Sequence, residues 1–287
     1  MIRVLLVAAA VGAAFPLASY AQDAVARLQE ADPAKVVGAG LLHVAMLVAS
    51  ALCWRRAFDA FGGRIGGADA CVRSGVGTFV NAVAPARAGG ALRIGLFTRS
   101  LRGEGAVHRS GTALLAIGSM RAAATTAMLA GAAAGGLAPL WLMLTPIALV
   151  AAAIFMRARL GIVRDHLNAR CLAGMWGWAA LAATCRCGSI AVALAAVGVS
   201  SPITAALVGL LGLELSALIP LAPGLAGVGG AAVAVAITAH GVPSAVAMAG
   251  GVAFYVAEAV AGIAFGAVAT AAFLVRYRAP APAVADW

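Results

Sequence analysis

Six charged side chains lie inside strongly apolar stretches, where each needs a partner or water. They are Arg87, Arg93, Arg121, Arg186, Glu214 and Glu258. A charge at the bilayer centre costs about 2.5–3.5 kcal/mol on insertion scales. Two carboxylates can neutralise only two arginines, so the surplus positive charge favours an anionic partner such as a lipid phosphate. For Arg121 and Arg186, structural ion pairs compete with this interpretation. The favoured pairs are Arg186 with Glu214 and Arg121 with Glu258.

The most specific of these positions is Arg87, which follows Pro85 and precedes Gly89. Pro and Gly end helices at membrane depth, so Arg87 is expected near the start of a half-helix, beside free backbone N–H groups. A guanidinium, N–H donors and glycine access together form an anion site. Asn81 precedes the break, where it can cap the helix or donate to a ligand. For Arg93, snorkelling to the membrane surface competes equally with a ligand role.

The composition predicts an all-α, polytopic membrane protein. The chain is 63% hydrophobic and only 10% charged, whereas soluble domains carry roughly 25% charged residues. Backbone groups in lipid must bond internally, which favours helices. One integral membrane domain is predicted over residues 1–287. About six full spans are predicted, at residues 3–20, 36–54, 111–134, 139–156, 171–199 and 245–275.

Two further apolar regions, 74–100 and 203–240, are interrupted by Pro and Gly. The first has Ala84-Pro85 and Gly89-Gly90, and the second has Pro220, Pro223-Gly224 and Gly229-Gly230. Each region is predicted as two half-helices forming a re-entrant hairpin, and the two hairpins enter from opposite sides. Such broken helices in matching positions point to a transport site, with a helix kink filled by neighbours as the competing interpretation.

The arrangement of basic residues fits this topology. It places 14 of them inside, 2 outside and 4 in the membrane, as the positive-inside rule expects. The protein is therefore predicted to lie in the cell membrane with both termini cytoplasmic. Residues 1–21 are the first span or, alternatively, a cleaved signal peptide. The net charge of +10 is attributed to these arginines rather than to nucleic-acid binding.

No nucleophile–base spacing, metal-ligand spacing or glycine-rich phosphate loop stands out along the chain. We therefore expect no catalytic residue, no metal site and no cofactor.

Two segments resemble signatures of the lysylphosphatidylglycerol synthase transmembrane region. Residues 79–93 (FVNAVAPARAGGALR) are similar to N-x-x-x-P-x-x-x-G-E-x-x-R, and residues 218–230 (LIPLAPGLAGVGG) to P-x-x-P-G-G-x-G-x-x-E. The resemblance implies an integral helical fold and a flippase-like role, since well-known members of this family move aminoacylated phospholipids between leaflets. The motif residues it implies are Asn81, Pro85, Arg87, Gly89 and Arg93 in the first signature, and Pro220, Pro223, Gly224 and Gly227 in the second.

The sequence departs from both signatures at their acidic positions, which are Gly90 and Gly230 here. Glu214 and Glu258 are candidates to supply the missing carboxylates. Aminoacyl transfer in the family resides in a separate soluble domain that this sequence lacks, so no synthase activity is expected.

These observations favour flippase-like translocation of a lipid or lipid-linked glycan with an anionic headgroup. The alternative is a non-transporting scaffold or accessory subunit for a lipid or cell-envelope enzyme, and a membrane-embedded transferase ranks third. Membrane lipids are the expected partners, with an envelope enzyme under the alternative. The predicted headgroup site comprises Asn81, Pro85, Arg87, Gly89, Arg93, Arg121, Arg186, Glu214, Pro223, Gly224, Gly227 and Glu258.

Overall fold

A computed structural model describes residues 22–83, 88–101, 105–137, 168–217 and 228–277, and all regular structure in these ranges is helical. The described helices are α1 (residues 22–29), α2 (Pro33–Ala60), α3 (Gly67–Val83), α4 (Ala88–Thr98), α5 (Ala106–Ala134), α6 (Ala169–Ala196), α7 (Pro202–Ala217), α8 (Val228–Ala239) and α9 (Ser244–Tyr277). Asp32 begins α2, because its carboxylate accepts a hydrogen bond from the Ala34 N–H at 2.9 Å.

Four helices, α2, α5, α6 and α9, are long and apolar enough to cross a membrane. They confirm apolar helices at four of the predicted spans, 36–54, 111–134, 171–199 and 245–275, and fit a multi-pass membrane protein. α6 ends at Ala196, three residues before the predicted end, because Gly198 adopts a left-handed conformation with φ 82°. The predicted spans at 3–20 and 139–156 lie outside the described residues.

The described residues divide into two compact units. The α7–α8 unit comprises residues 22–40, 187–217 and 228–258, and the α3–α4 unit comprises residues 41–83, 88–101, 105–137, 168–186 and 259–277. In the α7–α8 unit, Ile190, Leu210, Val233, Ile237 and Phe254 are fully buried. The largest fully buried side chains of this unit are therefore apolar, and one of them is aromatic.

Aromatic side chains organise the core of the α3–α4 unit. Trp54 and Phe58 of α2 are stacked with centroids 6.1 Å apart, and Phe97 of α4 lies 5.1 Å from Trp54 and 5.2 Å from Phe58. Edge-tilted contacts of this kind add to the burial of apolar area. The cluster joins the C-terminal turns of α2 to the C-terminal turns of α4.

The two regions predicted as hairpins each contain a pair of short antiparallel helices. α3 packs on α4 and α7 packs on α8. At 11 and 12 residues, α4 and α8 are about 16 and 18 Å long, which is too short for about 30 Å of hydrocarbon. Residues 84–87 and 218–227, which join the helices of each pair, lie outside the described residues.

Three boundary predictions need correction. The Gly89-Gly90 and Gly229-Gly230 pairs do not break helices, because they lie in the first turns of α4 and α8. The first paired region also begins at Gly67 rather than residue 74. Asp69 in the first turn of α3 favours this earlier start, since it pairs with Arg73 at 2.8 Å and complements the helix dipole.

Candidate functional site: the cationic α3–α4 pair

Two glycines bring α3 and α4 into backbone contact. A Cβ on Gly89 would overlap the Gly77 carbonyl oxygen, and a Cβ on Gly77 would lie 2.7 Å from the Gly89 carbonyl oxygen. Neither position accepts a side chain without separating the helices. Gly89 was predicted as a headgroup residue, and its observed place in the structure is this helix contact.

Asn81 fixes the start of α4. Its Oδ1 accepts a hydrogen bond from the Gly90 N–H at 3.1 Å, so a side chain on α3 satisfies one free donor in the first turn of α4. Of the two roles considered for Asn81, a cap or a ligand contact, the structure shows the cap.

Arg73 fixes the opposite end of α4. Its guanidinium donates to the Leu96 carbonyl oxygen and pairs with Asp69 at 2.8 Å. Leu96 lies in the last turn of α4, where carbonyls have no partner within the helix. Both ends of the 11-residue helix are therefore held by polar side chains of α3.

Between these two ends, Arg93 lies on α4 against α2 and α3. Its NH2 group donates to the Thr78 hydroxyl at 3.0 Å, and its guanidinium carbon lies 5.7 Å from the centroid of the Trp54 ring. A cation over an aromatic face is attracted by the ring quadrupole. The Nε of Arg93 is buried and makes no hydrogen bond to any described residue. Among those residues, no carboxylate lies within 4.0 Å of this guanidinium.

A second arginine adds to the positive charge at this point. Arg121 of α5 lies close enough to Arg93 for their charges to repel, and it also interacts electrostatically with the Cys53 thiol on α2. Arg121 is exposed. The structure thus places two predicted site residues, Arg93 and Arg121, within electrostatic range of each other, and Arg93 itself contacts Trp54 and Thr78.

The remaining predicted residues are distributed elsewhere. Arg186 lies near His43 within the α3–α4 unit, whereas Glu214 and Glu258 belong to the α7–α8 unit. The predicted pairing of Arg186 with Glu214 and of Arg121 with Glu258 stays a prediction. Five predicted residues lie outside the described ranges, namely Pro85, Arg87, Pro223, Gly224 and Gly227.

Glu258 reaches the start of α8 from α9. Its Oε2 lies 3.5 Å from the point where a Cβ on Gly229 would sit. A carboxylate beside the first turn of a helix is stabilised by the free N–H groups and the dipole. A Cβ on Gly230 would overlap the Gly251 carbonyl oxygen, so that position cannot carry an acidic side chain without a shift of α9.

Two contributors to the site were not predicted from the sequence. Trp54 and Thr78 contact Arg93 from positions 39 and 15 residues earlier in the chain, so no local spacing links them to it. Thr78 is one of several polar residues in α3, so its type alone does not single it out. In the described part of the chain, no group of three or more His, Cys, Asp or Glu residues could hold a metal ion.

Comparisons with protein-family models and with curated protein sequences give no match for this chain. A function for the protein must therefore rest on the geometry around Arg93, where two arginines, a hydroxyl and an aromatic ring meet.

Proposed function

We propose that this protein is a flippase-like translocator of a lipid or lipid-linked glycan, and that the headgroup it handles is anionic. The observation that carries the proposal is the environment of Arg93. A half-buried guanidinium with one hydroxyl, one aromatic ring and a second arginine as neighbours favours binding of an anion.

The arrangement of the helices supports the same proposal. Both ends of α4 are held by α3, through Asn81 at its start and Arg73 at its end. A rigid short helix keeps Arg93 in one place, which reduces the cost of ordering the site around a headgroup. No catalytic step is assigned to these residues.

The proposed topology has about six spans, two oppositely oriented re-entrant hairpins, a location in the cell membrane and both termini in the cytoplasm. Four long apolar helices support it. Cysteine labelling from each side in a cysteine-free background tests it: Leu160→Cys should react from the cytoplasmic side and Asp23→Cys from outside. Labelling of Leu160→Cys from outside would contradict the topology.

A scaffold for a lipid or cell-envelope enzyme is the second candidate. Its support is the glycine at both positions where the resembled signatures are acidic. At Gly230 the close approach of Gly251 explains the missing side chain, but at Gly90 a Cβ would meet no atom within 4 Å. Packing therefore does not explain why position 90 lacks the acidic side chain of the signature.

Lipid binding to the purified protein tests the anion site. Delipidated protein is titrated with phosphatidylglycerol and the bound lipid is counted by native mass spectrometry. Arg93→Gln removes charge-assisted hydrogen bonds worth about 1.5–3 kcal/mol, so affinity should fall roughly tenfold to a hundredfold. Arg93→Lys should restore only part of it, because lysine lacks the planar fork of donors.

Arg27→Gln is the matched control, because it removes the same charge from an exposed position in α1. This variant should bind phosphatidylglycerol like the wild type. Equal affinity in the wild type and Arg93→Gln would rule out Arg93 as the headgroup ligand.

A further inference from the structure

Five helix termini meet at one end of the α3–α4 unit. The end of α2 contacts the start of α6, where the Cys171 thiol donates to the Arg56 carbonyl. The turn after α2 contacts the start of α5 through Arg109 and the turn after α4 through Ser100. The start of α3 lies beside the end of α4, as the Arg73–Leu96 hydrogen bond shows. We call this surface the arginine end.

Seven arginines belong to the arginine end, against two carboxylates among its described residues, Asp59 and Asp69. The arginines are Arg55, Arg56, Arg64, Arg73, Arg99, Arg109 and Arg170. Three of them have internal structural partners. Arg55 pairs with Asp59 at 3.5 Å, Arg73 holds the end of α4, and Arg109 donates to the Phe61 carbonyl at 3.2 Å. All three are half-buried, and Arg73 and Arg109 donate to carbonyls at or just beyond the C-terminal ends of α4 and α2.

The other four arginines, at positions 56, 64, 99 and 170, are different. All four are exposed. None has a carboxylate within 4.0 Å in the described part of the chain, although Arg56 interacts electrostatically with Asp59. They come from four separate places in the chain: the end of α2, the turn after it, the turn after α4 and the start of α6. The fold thus places four exposed arginines at one end of this unit, although none of them forms an ion pair within the described residues.

An aromatic side chain marks the depth of this surface. Trp176 is 39% exposed and lies six residues after Arg170 on α6, about 9 Å further along the helix. Tryptophan concentrates at the boundary between headgroups and hydrocarbon. If Trp176 lies at that boundary, Arg170 lies about one and a half helical turns beyond it, at the level of the lipid phosphates.

We propose that the arginine end is a docking surface for anionic phospholipid headgroups of the leaflet that it meets. Guanidinium groups bind phosphate through paired hydrogen bonds, and each basic side chain near an anionic surface strengthens the attraction by a factor of about five. This surface is separate from the Arg93 site, and the proposal does not depend on lipid translocation.

The test measures which lipids remain with the protein. The protein is placed in nanodiscs of equal phosphatidylglycerol and phosphatidylcholine, extracted in mild detergent, and the two retained lipids are quantified. The wild type should be enriched in phosphatidylglycerol, and added salt should lower the enrichment. Replacing Arg56, Arg64, Arg99 and Arg170 together with Gln should bring the ratio close to that of the nanodisc.

Replacing the same four arginines with Lys is the matched control, because it keeps the charge and the signal for membrane orientation. This variant should keep most of the enrichment. Arg27→Gln, which removes one exposed arginine of α1 that lies outside the arginine end, should keep it as well. Equal enrichment in the wild type and the fourfold Gln variant would overturn the proposal, as would a wild type whose retained lipids show no enrichment or no salt dependence.

Discussion

The α3–α4 pair and the α7–α8 pair share a layout but are held together differently. In each pair the second helix carries two glycines as its second and third residues, Gly89-Gly90 in α4 and Gly229-Gly230 in α8. In α4 the closely packed member is Gly89, which touches α3. In α8 it is Gly230, which touches α9 instead.

The contacts within the pairs differ in chemistry as well. α3 and α4 are joined by the Asn81 cap, the Arg73 cap and the Arg93–Thr78 hydrogen bond in addition to their glycines. α7 and α8 are joined by small residues, since a Cβ on Gly212 would lie 2.6 Å from the Ala236 Cβ and 2.8 Å from the Ala232 carbonyl. One pair is thus fixed by polar contacts at defined points, and the other by close packing of glycine and alanine.

The same Gly-Gly pair in a sequence can therefore have different structural roles. In the first helix pair Gly89 packs on the α3 backbone at Gly77 and Asn81, whereas in the second Gly229 lies beside a carboxylate, that of Glu258. Single substitutions can test each assignment.

The largest effect is expected for Gly89→Ala. Its Cβ would overlap the Gly77 carbonyl and lie 2.6 Å from the Asn81 nitrogen, so α3 and α4 must separate. The free energy of unfolding should fall by an amount at the upper end of the roughly 1–3 kcal/mol that overpacking costs. A Cβ on Gly90 would meet no atom within 4 Å, so Gly90→Ala should raise the free energy of unfolding by about 0.5–1 kcal/mol. Thermal midpoints in detergent measure both, and a shift of the same sign in the two variants would contradict the assignment.

Gly230→Ala is the corresponding change in the second pair. A Cβ there overlaps the Gly251 carbonyl and lies 3.0 Å from the Tyr255 Cβ, so the expected loss is about 1–3 kcal/mol. Gly229→Ala is its control, because the nearest atom, 3.1 Å away, is the flexible end of Leu213. If Gly229→Ala lowers the thermal midpoint more than Gly230→Ala does, the close contact assigned between Gly230 and α9 is contradicted.

A smaller effect is expected for Asn81→Ala, which removes the cap of α4. Loss of an N-terminal cap costs about 1 kcal/mol, and the first turn of α4 should exchange its amide hydrogens faster. Asn81→Asp keeps the acceptor oxygen and should remain close to the wild type. Hydrogen exchange over residues 88–98 measures the change. Equal protection in wild type and Asn81→Ala would show that another group caps α4.

The smallest effect is expected for Glu258→Gln. A carboxylate beside the start of α8 contributes about 0.3–1 kcal/mol through the helix dipole, and glutamine loses that contribution. A loss of about 3–5 kcal/mol would instead indicate a broken buried ion pair, such as the one predicted with Arg121. A double-mutant cycle with Arg121→Gln separates these outcomes, since only a true pair gives a coupling energy.

The sequence predicted the long helices well because their signal is local. An uninterrupted apolar run of about 20 residues identifies α2, α5, α6 and α9 without knowledge of their neighbours. The glycine pairs were misplaced for the opposite reason. A glycine that breaks a helix and a glycine that lets two helices touch look the same in sequence, and only the partner backbone distinguishes them.

The site was predicted in part. Intramembrane charge singled out Arg93 and Arg121 as candidates, and the position of Asn81 before the break left a cap or a ligand contact open, of which the structure shows the cap. Trp54 and Thr78 could not be assigned, because their contacts with Arg93 arise from packing of α2 and α3 against α4. Arg73 was not predicted to contribute: it precedes the predicted region 74–100, yet it lies in α3 and holds the last turn of α4.

Lipid translocation in proteoliposomes tests the central claim most directly. Vesicles carry fluorescent phosphatidylglycerol, and a membrane-impermeant quencher reports how much of it reaches the outer leaflet over time. Wild type and Arg27→Gln should move the lipid faster than protein-free vesicles, and Arg93→Gln should fall to the protein-free rate. A wild type that matches protein-free vesicles, or an Arg93→Gln variant as fast as the wild type, would contradict the account.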